Sequence, residues 1–154
     1  MAELSPAYRQ LVQQARALLS GERHVIANAA NLSALLFQEL ADLNWAGFYF
    51  LEDDELVVGP FQGRPACVRI PLGKGVCGTA AQTGDTQRVE DVHAFPGHIA
   101  CDPASRSEIV VPLIVDGAVL GVLDIDSPRP ARFSAEDQAG IEALARVYLD
   151  SLSG

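Results

Sequence analysis

SEIVVPLIVDGAVLGVLDID, Ser107 to Asp126, is a pair of strongly apolar runs joined by Asp-Gly. Asp116-Gly117 predicts a hairpin, because a two-residue type I′ turn needs positive φ at both positions and Asp-Gly adopts it readily. The expected strands are Ser107–Val115 and Ala118–Asp126. Acids interrupt the apolar pattern at the open end of this hairpin. Asp124 and Asp126 are two apart on one strand, so they share a face. Glu108 opens the other strand, and its face depends on register. A two-residue loop sets Glu108 opposite Ile125, away from both aspartates. A three-residue loop with a bulge sets it opposite Asp126. A three-carboxylate pocket requires the second register or an equivalent bulge.

Beyond the hairpin, Ser134 followed by Glu136-Asp137 caps a helix with Ile141, Leu144, Ala145, Tyr148 and Leu149 on one face. On the N-terminal side, residues 91–106 have no periodicity. Loops this long inside compact domains are usually functional or disordered. Further upstream, Gln87–Glu90 reads as a short strand, and PLGKGVCGTAAQTG as a Gly-rich loop opening a short helix closed by Gly84. Ala66–Ile70 reads as a short extended piece. Trp45–Leu51 and Leu56–Phe61 read as strands joined at Glu52-Asp53-Asp54. Two helices come first, one from Ser5-Pro6 to Leu19 and one from Glu22 to Ala41. This order predicts an α+β fold: an antiparallel sheet of about six strands, with the N-terminal helices and a C-terminal helix packed on one face.

The chain has 154 residues and is 49% apolar, enough for one domain with a sizeable core. We therefore expect a single domain over residues 1–154. No apolar run approaches the roughly 20 residues of a membrane span, and MAELSPAYRQ lacks a signal pattern, so a cytoplasmic protein is expected. A formal net charge of −9 argues against nucleic acid. It leaves room for a cationic or zwitterionic ligand.

The cysteines are Cys67, Cys77 and Cys101, an odd number. In a reducing compartment that favours redox, catalytic or metal roles over a disulfide scaffold. Cys101 stands in FPGHIACDPASRSE, a polar loop with His98, Asp102 and Glu108 nearby, which is an unusual setting for a structural thiol. Cys77, in an apolar short helix, best fits an inert core thiol. His93, His98, Cys77 and Cys101 show no CxxC or HxxxH spacing, so no metal is expected. Gly75 follows Lys74 where a P-loop carries Ser or Thr, so phosphate binding is not indicated. The backbone N–H groups of that turn remain able to hold a carboxylate. Trp45 and Tyr49 share a strand face, either as core packing or as an aromatic wall for an apolar or cationic group.

GRPACVRIPLGKGVCGTAAQTG followed by VEDVHAFPGHIACDPASRSEIVVPL resembles the free methionine-(R)-sulfoxide reductase family, whose members are GAF-domain enzymes. The likeness runs from Asn44-Trp45-Ala46-Gly47-Phe48-Tyr49 to Asp124-Ile125-Asp126, and includes all three cysteines of the family's three-cysteine form. It implies reduction of free methionine-(R)-sulfoxide without metal or organic cofactor, with thioredoxin as reductant. It implies Cys101 as nucleophile and Cys67, with Cys77 as the alternative, as the resolving thiol. Glu108, Asp124 and Asp126 resemble the family's polar pocket, and Trp45 and Tyr49 its apolar one. Glu108 and Asp126 are expected to activate the sulfoxide oxygen and Asp124 to hold the substrate ammonium. A homodimer through the terminal helices is compatible with a GAF fold. The rival reading is a GAF module that binds a ligand or senses redox state without turnover.

Overall fold

The computed structural model describes residues 3–153. Helix α1 (Pro6–Leu19) starts where Pro6 presets the first turn and the Ser5 hydroxyl accepts from Tyr8 N at 3.3 Å. Its spacing buries Tyr8, Leu11, Val12, Ala15 and Leu19. Helix α2 spans Val25–Glu39, a shorter range than the expected Glu22–Ala41. The reason is local: the Glu22 carboxylate accepts from the N–H groups of Arg23 and His24, each at 3.1 Å. His24 Nδ1 then caps the helix, accepting from Ile26 N and Ala27 N at 3.2 Å.

Strands β1 (Trp45–Glu52), β2 (Glu55–Gly63), β3 (Arg69–Pro71), β4 (Gln87–Val89), β5 (Ser107–Val115) and β6 (Ala118–Ser127) form one sheet. Its order is β3-β2-β1-β6-β5-β4, with every neighbouring pair antiparallel. The extended piece expected at Ala66–Ile70 lies later, because only Arg69–Pro71 pairs with β2. Helix α3 (Gly75–Thr83) sits between β3 and β4, and α4 (Ala135–Ser153) closes the fold.

Period-two alternation sends each strand's side chains to two different cores. Ala46, Phe48, Ile109, Val111, Leu113, Leu123 and Ile125 face α1, α2 and α4 in the larger core. Phe48 and Tyr148 meet there with ring centroids 4.7 Å apart. Trp45, Tyr49, Val110 and Val122 face the other way, against Val76, Cys77, Ala80 and Ala81 of α3. The terminal helices thus share one face as expected, while α3 and the 91–106 segment cover the opposite one.

The hairpin combines the two-residue turn with a bulge, the second of the two routes by which Glu108 can join the aspartates. Asp116 and Gly117 have φ of 50° and 80°, and Val115 pairs with Ala118, so the turn has two residues. A bulge then intervenes: Ile114 pairs with Val119, but Leu113 pairs with Gly121. Leu120 is the extra residue, and it shifts everything below it by one. Glu108 consequently lies opposite Asp126 despite the short turn.

Candidate active site

The acids and aromatics form ordered rows across three strands. Trp45 of β1 pairs with Asp126 of β6, which pairs with Glu108 of β5. In the next row Gly47 pairs with Asp124, which pairs with Val110. All point to the α3 side of the sheet. Gly47 has no side chain because Phe61 fills its place, and a Cβ there would lie 2.2 Å from Phe61 Cβ. Trp45 stacks on Phe61 and on Tyr49, at centroid distances of 5.0 and 5.7 Å. The Trp45 indole N–H donates to Arg64 O at 3.2 Å, and the Tyr49 hydroxyl donates to Cys67 O at 3.2 Å. These aromatics therefore fix the segment carrying Cys67.

Cys67 and Cys101 are joined as a disulfide, with their Cα atoms 5.3 Å apart. Cys77 is free and buried. Cys101 stands in the segment 91–106, whose ends are tied together. Val92 N donates to Arg106 O at 2.9 Å, and Arg106 N donates to Ser127 O at 2.8 Å. The span between is a compact loop closed over the sheet. Ile99 of this loop packs on Gly75, whose φ of +62° opens α3 and where a Cβ would meet Ile99 at 3.3 Å. Gly75, Val76, Cys77, His98, Ile99 and Cys101 line a cavity with Trp45, Tyr49 and the three acids. Its volume is about 40 Å³, room for a few waters.

Glu108, Asp124 and Asp126 are buried, at 8, 5 and 9% exposure. Burial raises the pKa of all three carboxyls, and each is pushed further by its carboxyl neighbours. None of them forms an ion pair with Lys or Arg among the described residues. Asp124 Oδ1 and Asp126 Oδ1 have no hydrogen-bond partner. Burial, then the same acids, raises the Cys77 thiol as well. Its Sγ donates weakly to Glu108 Oε2 at 3.9 Å. Cys77 Sγ, a Glu108 oxygen and an Asp124 oxygen lie within 4.8 Å of one another, close enough to hold a metal ion.

A polar relay supports the acids from outside. Asn44 Nδ2 donates to Asp102 Oδ2 at 2.9 Å and to Ser105 Oγ at 3.0 Å, and Ser105 Oγ donates to Asp126 Oδ2 at 3.1 Å. Asn44 N also donates to the Asp126 carbonyl at 3.0 Å. Sequence reasoning did not find this relay. In the sequence Asp102 stands out only as a neighbour of Cys101, and Asn44 only as part of a motif. No local spacing could have joined residues 58 and 61 positions apart.

A six-stranded antiparallel sheet with terminal helices on one face and a loop-covered pocket on the other is the architecture of a GAF domain, and the GAF domain model matches residues 3–148. Free methionine-R-sulfoxide reductase of Escherichia coli (strain K12) is 58% identical over 137 residues, covering 89% of this chain and 83% of that protein. The structure of fRMsr of Staphylococcus aureus in its reduced form is 52% identical with a TM-score of 0.92, covering 99% of both chains. The free methionine-R-sulfoxide reductase of Neisseria meningitidis in complex with its substrate is 43% identical with a TM-score of 0.92, covering 99% of this chain and 93% of that one. Within the GAF class, the chain belongs to the free methionine-(R)-sulfoxide reductase family.

Proposed function

We propose that this chain, acting as a single catalytic domain, reduces free methionine-(R)-sulfoxide to methionine in the cytoplasm and is recycled by thioredoxin. The observation that carries the reading is the Cys67–Cys101 pair over a pocket walled by Trp45 and Tyr49 and floored by three buried carboxyls. Solved relatives bearing the substrate support it.

In the reduced protein the Cys101 sulfur attacks the sulfoxide sulfur. The S=O oxygen passes to Cys101, which becomes a sulfenic acid, and methionine leaves. That transfer requires a proton on the oxygen. Glu108 and Asp126 are suited to supply it, because burial and mutual repulsion favour their neutral forms. Asp124, beside them with one free oxygen, pairs with the substrate ammonium in this reading once ionised. Trp45 and Tyr49 offer apolar faces to the S-methyl group, a contact worth roughly 0.3–1.5 kcal/mol for sulfur on an aromatic ring. The N–H groups at the start of α3, where Lys74 provides no side-chain cap, are available to the substrate carboxylate. The Cys67 thiol then condenses with the sulfenic acid, releasing water and forming the disulfide. Thiol–disulfide exchange with thioredoxin restores both thiols. Cys77, buried under the acids, is the less accessible resolving thiol.

The test is a single turnover on the reduced enzyme. One Cys67–Cys101 bridge and one methionine should form per chain, read by peptide mapping and amino-acid analysis. A dominant Cys77–Cys101 bridge would contradict the assignment of Cys67.

A further inference from the structure

Cys77 comes from α3, Glu108 from β5 and Asp124 from β6, and their ligand atoms converge within 4.8 Å in the buried floor of the pocket. Asp126 adds a fourth ionisable group of the same sign. Asp124 Oδ1 and Asp126 Oδ1 are both buried and unpartnered, and each side chain is more than nine-tenths buried. No Lys or Arg lines the cavity. Buried groups of one sign without an opposite charge must be neutralised by protons or by a cation.

We propose that Cys77, Glu108 and Asp124 form a site for a zinc-class divalent cation, whose occupancy blocks the pocket. Zn–S and Zn–O bonds of ordinary length put tetrahedral ligand atoms about 3.5 Å apart. Cys77 Sγ and Glu108 Oε2 are already at 3.9 Å, so small side-chain rotations close the site. The fourth position falls to Asp126 or to a water. One thiolate among carboxylates selects zinc or cadmium over magnesium or calcium, which take oxygen alone. Loading releases the thiol proton and any carboxyl protons to solvent, and no electron moves. The cation takes the oxygens offered to a substrate ammonium and removes the protons the sulfoxide oxygen needs. The inhibitory half of the inference therefore rests on the proposed function, while the binding half does not.

Cys67 and Cys101 are tied in the disulfide form, which leaves Cys77 as the only thiol. Cadmium titrated into that form should give a thiolate-to-cadmium charge-transfer band saturating at one equivalent. Cys77→Ser and Cys77→Ala should abolish the band while circular dichroism shows the fold retained. Asp124→Asn should weaken binding roughly tenfold or more. In the reductase assay zinc should raise KM, with reversal by a chelator. Absence of the band at one equivalent, its persistence in Cys77→Ser, or an unchanged affinity in Asp124→Asn would overturn the site. A normal cadmium band in a protein that shows no reductase activity when assayed free of metal would sink the functional reading and leave the site standing. Activity without the band would do the reverse.

Discussion

Glu108, Asp124 and Asp126 are where stability and chemistry pull in opposite directions. Each carboxyl has a folded-state pKa raised by burial and by its neighbours. Its favourable contribution to stability is complete below about pH 4, the unfolded value, and is lost as pH rises through the folded value. Asp124→Asn should therefore be more stable than the parent at pH 8, on the order of 1 kcal/mol, with the difference shrinking at acid pH. Urea denaturation at the two pH values checks this, and a less stable variant at pH 8 would contradict it. Activity should move the other way. Glu108→Gln and Asp126→Asn retain a hydrogen-bond donor but deliver no proton, so sulfenic acid formation should slow by ~10²–10⁴-fold. Asp124→Asn should mainly raise KM. The chemical step of the parent should slow as pH rises through the raised carboxyl values. Single-turnover rates separate these outcomes, and a Glu108→Gln enzyme with an unchanged chemical rate would remove Glu108 from proton delivery.

The hairpin shows how far local chemistry reads through to structure at the scale of the element. Asp116-Gly117 announced the turn, and the strands Ser107–Val115 and Ala118–Ser127 follow the apolar runs within a residue. The bulge at Leu120 was not legible. Gly121 approaches β1 so closely that a Cβ would lie 2.1 Å from Tyr49 O, a contact between strands that neither hairpin strand encodes alone. Glu108 owes its place opposite Asp126 to that bulge. Trp45 and Tyr49 were legible by parity, whereas Asn44, Ser105 and Asp102 meet only after the sheet forms. Close packing at Gly47 gives a direct test of the aromatic wall. Gly47→Ala would drive a methyl into Phe61, whose Cα would lie 2.7 Å away and cannot yield freely. The variant should lose about 1–3 kcal/mol or more by denaturant unfolding. A neutral effect would mean that β1 and β2 can separate there.

Across the whole molecule, the disulfide joins the edge segment after β2 to the loop that covers the pocket, across 34 positions of sequence. Constraining the unfolded chain over that span is worth about 4 kcal/mol at most in the loop-entropy account. Reduction should lower thermal stability, and Cys67→Ser should abolish the dependence on reductant. In the disulfide form Cys101 and Ile99 of this loop line the cavity beside Trp45 and the three acids, so release of Cys101 is expected to loosen the loop over the pocket. Hydrogen exchange should accelerate across residues 91–106 on reduction while the larger core under α1, α2 and α4 stays protected. Identical protection in both states would argue for a rigid loop and another route of entry. A closed pocket with carboxyls set to grip a free ammonium also predicts that methionine sulfoxide inside a peptide is a poor substrate. The central claim is tested most directly by thioredoxin-coupled NADPH oxidation with each free methionine sulfoxide epimer in turn. Rapid oxidation with the R epimer, little with the S epimer, and loss of both in Cys101→Ser is the predicted result. Absence of turnover with either epimer in fully reduced wild-type protein would contradict it, and would leave a GAF module that binds or senses without catalysis.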